Sequence, residues 1–301
     1  MKVKTRGTLE MLGAMLISGT VGWLVVGSGQ SPWVVVFWRC VFGALAMLLA
    51  CAGLGLLRGL RLSGRQVALI ALGGCALMLN WVLLFSAYSQ ASIAVATVVY
   101  NTQPFMLVGL GALLFGERLT PGKLGWLALA FAGMLFIVGA RPASGMVGGD
   151  YLLGILLALG AAFFYAIAAA TTKHLREVPA PLIVLLQMLL GMLLSAPFAL
   201  GSLPAPAGEA WFYLVTIGVV HTGLMSTLLY GAIQRLSTVL VGALSFIYPL
   251  VAVLVDWLVF GHRLGWLQVL GGAAILLAAA GLNLGWNLRV RSIRQGRATW
   301  D

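Results

Sequence analysis

Acidic side chains are scarce in this chain, with seven Asp and Glu against eighteen Lys and Arg in 301 residues. There is no His-Glu-x-x-His and no inward pair of acids, so the sequence offers no catalytic set and is expected not to be an enzyme. No Gly-rich P-loop is present, which excludes a pump driven by ATP. Cysteine is sparse as well. Cys40, Cys51 and Cys75 all lie inside apolar runs, where free thiols are expected rather than a disulfide framework. No metal and no other cofactor is expected. A net charge of +11 could suggest nucleic acid, but the basic residues are scattered between apolar runs and form no stripe.

What the chain does have is apolar length. Hydrophobic residues make up 61% of it and the mean hydropathy is +1.05, too high for a soluble domain. Ten runs approach the roughly 20 residues that cross a bilayer, near 8–28, 31–55, 66–88, 92–115, 123–140, 151–172, 181–200, 211–231, 238–260 and 264–287. The first run lacks a small-residue cleavage site and reads as a span rather than a leader.

The basic residues orient these runs. With the N-terminus in the cytoplasm, the inner segments hold Lys2, Lys4, Arg6, Arg58, Arg61, Arg65, Arg118, Lys123, Lys173, Arg176, Arg235, Arg289, Arg291, Arg294 and Arg297. Only Arg141 and Arg263 fall outside, and Arg39 lies within a run. This bias puts both termini in the cytoplasm and makes the number of spans even.

One stretch is written twice. Ser92–Leu119 and Ser237–Leu264 each open on serine, carry a proline twelve positions on (Pro104, Pro249), and close on Gly-x-Arg-Leu. Leu-Gly-Trp-Leu recurs at 124–127 and 264–267. The first and sixth runs align through Gly13 with Gly154 and Gly19 with Gly160. The second and seventh align with Arg39 opposite Gln187. Five spans per half is odd, so the second half is inverted relative to the first. Inverted repeats with interrupted helices are the mark of transporters with a mid-membrane site between the halves. The expected fold is an all-α membrane protein of ten transmembrane helices in two inverted five-helix repeats. The halves fall at 1–145 and 146–289, with a basic cytoplasmic tail at 290–301.

These residues carry a family resemblance over essentially the whole chain. The ten spans, the proline followed by Gly-Glu-Arg-Leu (Pro104, Gly116, Glu117, Arg118, Leu119) and the Phe37-Trp38-Arg39 of the second run resemble the drug/metabolite transporter superfamily, EamA type. The second half departs from the pattern at His262, where the family usually has Glu. Within the family the chain is most similar to the bacterial aromatic amino-acid exporters. The resemblance implies a secondary transporter in a bacterial-type inner membrane, exporting small metabolites by alternating access.

Polar and aromatic side chains inside the runs mark the candidate substrate site, because such groups in hydrocarbon need a partner or a wet cavity. They are Trp23, Arg39, Asn80, Trp81, Tyr100, Asn101, Tyr165, His221, Ser245 and Tyr248. Helical spacing stacks Thr97, Asn101 and Pro104 on one face, and Ser245, Pro249 and Asp256 on another. The set is aromatic and neutral apart from Arg39, which suits an amino-acid-like zwitterion, aromatic ones included. Arg39 reads either as a clamp for a substrate carboxylate or as a structural lock, for instance on Asp256. Pro104 and Pro249 read as hinges or as static kinks. Titratable groups within the runs are too few for an acidic relay, which favours a facilitator or exchanger. A multidrug or nucleotide-sugar carrier on the same scaffold is the rival reading. Trp211, Trp266 and Trp286 are read as interface anchors.

Overall fold

The computed structural model describes residues 2–59, 61–90, 96, 99–139, 150–201, 206–251, 254 and 265–286. Thr97, Arg141, Asp256, His262, Arg263 and the 290–301 tail lie outside these residues. Among the described residues there are no strands. That follows from the apolar surroundings, because a peptide group without water must find its partner within its own helix.

Helices α1 (Val3–Ser18) and α2 (Val21–Ser28) form the first span, α3 (Pro32–Gly53) the second and α4 (Gly64–Gln90) the third. The fourth ends in α5 (Gln103–Phe115), and α6 (Pro121–Gly139) is the fifth. The second half runs through α7 (Tyr151–His174) and α8 (Ala180–Leu200). It continues through α9 (Ala210–Thr216), a π-helical stretch (Ile217–Leu224) and α10 (Met225–Arg235), which together make one span. Helix α11 (Thr238–Ser245) and α12 (Trp266–Leu284) complete it. Six spans are long and apolar enough to cross a membrane, and four shorter apolar helices occupy the places of the remaining runs.

End contacts show that the helices alternate in direction. The Lys4 ammonium donates to the Asn283 carbonyl, and Trp126 Nε1 donates to the Trp286 carbonyl at 3.0 Å, which joins the start of α1, the start of α6 and the end of α12. Gln90 Oε1 accepts from Asp150 N at the opposite end. Every described Lys and Arg except Arg39 therefore lies at one end, called the basic end below.

The packing obeys the repeat. Exchanging the halves turns the α4–α7 contact into α1–α10, and α4–α8 into α3 against the π-helical stretch. It likewise turns α5–α7 into α1–α11. The pairs α3–α8, α5–α11 and α6–α12 map onto themselves, as they must at a pseudo-twofold axis. An axis that maps an odd number of alternating spans onto the next set inverts them.

The two prolines break their helices at equivalent places. The fourth span turns at Asn101 and Thr102, and the ninth turns at Phe246 before helix resumes to Val251. Asn101 and Phe246 each precede their proline by three residues, where the ring would collide with the preceding turn. Two further breaks have no proline. Between α1 and α2 the Thr20 hydroxyl donates back to the Ile17 carbonyl at 2.8 Å. In the π-helical stretch the Thr222 hydroxyl donates to the Ile217 carbonyl at 3.0 Å.

Glycine brings the π-helical stretch onto α3. A β-carbon on Gly218 would lie 2.3 Å from Phe42 Cβ, and one on Gly43 would lie 2.7 Å from Thr222 Cγ2. Gly218→Ala should therefore lower the stability of the detergent-solubilised protein by about 1–3 kcal/mol, the usual cost of overpacking. Gly109→Ala, with nothing within 4 Å of the new carbon, should leave it unchanged or slightly raised. Thermal melts of the two variants check this; equal melting temperatures would show that the α3 contact is not close.

Candidate functional site

Arg39 projects from α3 about two turns from the end opposite the basic one, and only 3% of it is exposed. Its guanidinium carbon lies 3.6 Å from the centroid of Trp81, and Nε donates to Thr222 Oγ1 at 3.1 Å. A desolvated guanidinium stacked on indole gains roughly 2 kcal/mol from the ring face. That stack orients the group without supplying a counter-charge. Among the described residues no carboxylate lies within ion-pair distance of Arg39. Tyr100, Tyr230 and His221 lie within its electrostatic reach.

Asn80, one residue before Trp81, donates from Nδ2 to Tyr100 Oη at 3.2 Å and to the Ala161 carbonyl at 2.9 Å. It thereby ties the third, fourth and sixth spans together. Tyr165 meets Tyr100 edge-on, with ring centroids 6.3 Å apart. Tyr230 donates to Gln187 Oε1, and Gln187 Nε2 reaches the Ile70 carbonyl at 3.4 Å. Gln187, which the repeat sets opposite Arg39, is thus fully buried on the pseudo-symmetric helix α8 and holds a tyrosine.

His221 is buried in the π-helical stretch, and its Nε2 lies 2.8 Å from Thr20 Oγ1 at the break in the first span. Thr20 thus sits between the Ile17 carbonyl and the imidazole. Among the described residues Nδ1 has no hydrogen-bond partner.

The structure therefore brings Arg39, Asn80, Trp81, Tyr100, Tyr165 and His221 together. Asn101 is buried at the turn before Pro104. Ser245 donates back to the Gly242 carbonyl at 2.6 Å, and Tyr248 packs against the main core beside Pro249. Trp23 stands apart: it is 39% exposed and meets Tyr213 edge-on at 6.1 Å. Trp266 and Trp286 are exposed at helix ends, whereas Trp211 packs on Trp38 with centroids 4.7 Å apart. Thr20, Thr222 and Tyr230 belong to the cluster and were not singled out from sequence. A hydroxyl inside an apolar run has no periodic signal, and only the π-helical turn aims Thr222 at Arg39.

A second polar cluster lies at the basic end. Glycine at 116 takes a left-handed conformation (φ 62°) that ends α5 and places Glu117 beside α11. Its carboxylate accepts from Thr238 N at 2.9 Å and Thr238 Oγ1 at 2.7 Å, capping α11, and pairs with Lys173 Nζ at 2.6 Å. Lys173 also donates to the Leu236 carbonyl at 2.7 Å and is only 2% exposed. Nearby, Arg235 Nη1 pairs with Glu10 Oε2 at 2.8 Å and joins α10 to α1.

Comparison with known proteins places this architecture. The model of the EamA-like transporter family matches residues 5–139 and again 152–284. A transporter of Bacillus subtilis, YxxF, is 28% identical over 300 residues, 99% of this chain and 93% of its own. A probable amino-acid metabolite efflux pump of Salmonella typhimurium is 29% identical over 65% of this chain and 68% of its own. The aromatic amino acid exporter YddG of Ancylobacter novellus is 27% identical over 56% and 60%. A crystal structure with 23% identity has the same fold, with a TM-score of 0.82 over 95% of this chain and 98% of that one.

Partial burial raises the pKa of Glu117, but the hydrogen bonds from Lys173 and Thr238 outweigh it and hold the carboxyl below its ordinary value. A carboxyl depressed in the folded state stabilises it fully above the unfolded value of about 4.3, and that contribution is lost as pH falls through the folded value. Thermal melts of native protein and Glu117→Gln should therefore differ most near neutral pH and converge on acidification. A gap that stays constant down the series would contradict this assignment.

Proposed function

The chain belongs to the EamA-like transporter family, and from that premise we propose that it is a secondary transporter exporting small amino-acid-like metabolites, aromatic ones preferred, by alternating access. It is a multi-pass membrane protein; in this reading it sits in a bacterial-type inner membrane with the basic end and both termini in the cytoplasm. The solute binds between the halves. Its carboxylate takes the guanidinium of Arg39, while Trp81, Tyr100 and Tyr165 line the aromatic part. Its ammonium meets neutral acceptors, the unpartnered Nδ1 of His221 among them. Asn101, Ser245 and Tyr248 complete the site beside the two breaks. Pro104 and Pro249 serve as the hinges about which each broken helix swings. Flux follows the solute gradient, as a facilitator or exchanger.

The observation that carries this reading is Arg39. A buried cation stacked on a tryptophan, with a threonine hydroxyl as its hydrogen-bond partner, is completed by an anion. The names of the amino-acid efflux relatives point the same way.

Uptake of labelled tryptophan, phenylalanine, threonine, a nucleotide sugar and a cationic dye into proteoliposomes tests the solute class, with and without internal unlabelled compound. Saturable amino-acid uptake accelerated by internal amino acid is expected; movement of the dye or the nucleotide sugar alone would overturn the assignment. Arg39→Lys should weaken tryptophan binding at least about tenfold, because a point ammonium loses the planar stack and paired donors. Tryptamine, which has no carboxylate, should lose little. An equal loss for both would show that Arg39 is a structural lock.

A further inference from the structure

The cluster at the basic end spans both halves of the repeat. Glu117 comes from the first half, while Lys173, Leu236 and Thr238 come from the second. It fastens the ends of the fourth and sixth spans to the start of the ninth, the same span that breaks before Pro249. The fit is close: a β-carbon on Gly111 would lie 2.2 Å from Thr238 Oγ1, so the glycine lets α11 approach α5. The Phe115 ring, 5.3 Å from Lys173 Nζ, covers the pair on one side.

The repeat does not supply this cluster at the other end. The position equivalent to Glu117 holds His262 and that equivalent to Thr238 holds Ile93. The end of the first span, residues 24–33, contains no Lys or Arg to match Lys173. The scaffold is two-fold, but the residues of this fastening occur on one side of it.

We propose that Glu117, Lys173 and Thr238 form the gate at the basic end, a latch that must open before solute can pass between the central site and that side. The proposal rests on the transport reading for its purpose, though not for its test. Opening the basic end separates both Thr238 hydrogen bonds to Glu117 and the ion pair together. The Glu10–Arg235 pair, which also joins the two halves, separates with them. Among the described residues the other end has no equivalent set, so the protein rests closed at the basic end and open or readily opened at the other. A solute arriving at the central site works against a closed latch. Its release on the far side does not require the latch to open, so the step that re-exposes the site to the basic side is the slow one.

The test reads accessibility and needs no knowledge of the solute. Ser245 lies seven residues, two turns, above Thr238 on the same face of α11 and is 7% exposed. Ser245→Cys is introduced into the full chain, and labelling by a membrane-impermeant maleimide is followed from the basic side in membrane vesicles. The chain without the new thiol is the blank. E117Q and K173M should each speed labelling at least about tenfold, since removing one partner strands the other. The charge exchange E117K with K173E restores the ion pair but sets an ammonium against the Thr238 amide, and should fall between them and the latched chain. T238V removes one hydrogen bond while both charges stay paired. It should speed labelling by about two- to fivefold, and it decides the matter if the charge variants do not fold. Rates within about twofold of the latched chain in folded variants would overturn the proposal, because breaking a partly buried pair cannot be that silent in a gate. Equal acceleration from both sides would overturn it as well, as general loosening. If the latch opens in the variants while no amino acid is transported by the native chain, the gate stands and the solute class falls alone.

Discussion

A peptide group in hydrocarbon has no water to bond, and the arrangement of this protein follows from that constraint. It forces helices, and it confines every interruption of a helix to places where neighbouring chain or a side chain can satisfy the freed groups. Among the described residues four spans are interrupted, and the interruptions are not scattered. Two precede Pro104 and Pro249 at repeat-equivalent turns. The other two, at Thr20 and in the stretch 217–224, face each other and are joined by the Thr20–His221 contact. These last two, costly in a bilayer, lie beside the buried Arg39, which donates to Thr222.

That placement separates what was legible in the sequence from what was not. The ten runs, the orientation bias and the inverted repeat could be read directly, because apolar length and paired prolines depend only on the local chain. Much of the central set was legible too, since Asn80, Trp81, Tyr100, Tyr165 and His221 are conspicuous in apolar runs. The illegible part came from tertiary packing. The π-helical turn has no proline and is set by the Gly43–Gly218 approach, so Thr222 and its bond to Arg39 could not be placed in advance. Trp23 looked like its aromatic neighbours in the sequence, yet the break at Gly19 and Thr20 turns it outward to Tyr213. Lys173, counted among cytoplasmic charges, is drawn under the bundle by Glu117.

The two polar clusters divide the work. At the centre, a guanidinium is oriented by tryptophan and threonine but left without a counter-charge among the described residues. At the basic end two carboxylates bridge the halves, Glu117 pairing with Lys173 and Glu10 with Arg235. An unmatched cation is suited to receive a ligand, and a matched, partly buried pair is suited to hold two parts of a protein together until something displaces them. In the transport cycle proposed above, the pseudo-symmetry of the packing would supply two related arrangements and the asymmetry of the charges would decide which of them is at rest.

The central claim is that the two halves rock about a shared site, and pairwise distances between spin labels test it most directly. One pair spans the basic end, at the exposed Arg118 and Arg176; the other spans the opposite end, at Gln30 and Glu209. In membranes, with and without saturating amino acid, the account predicts reciprocal change, one distance lengthening in the population where the other shortens. Two distances that stay fixed, or that lengthen together, would contradict alternating access in this protein and leave a static pore or a binding protein in its place.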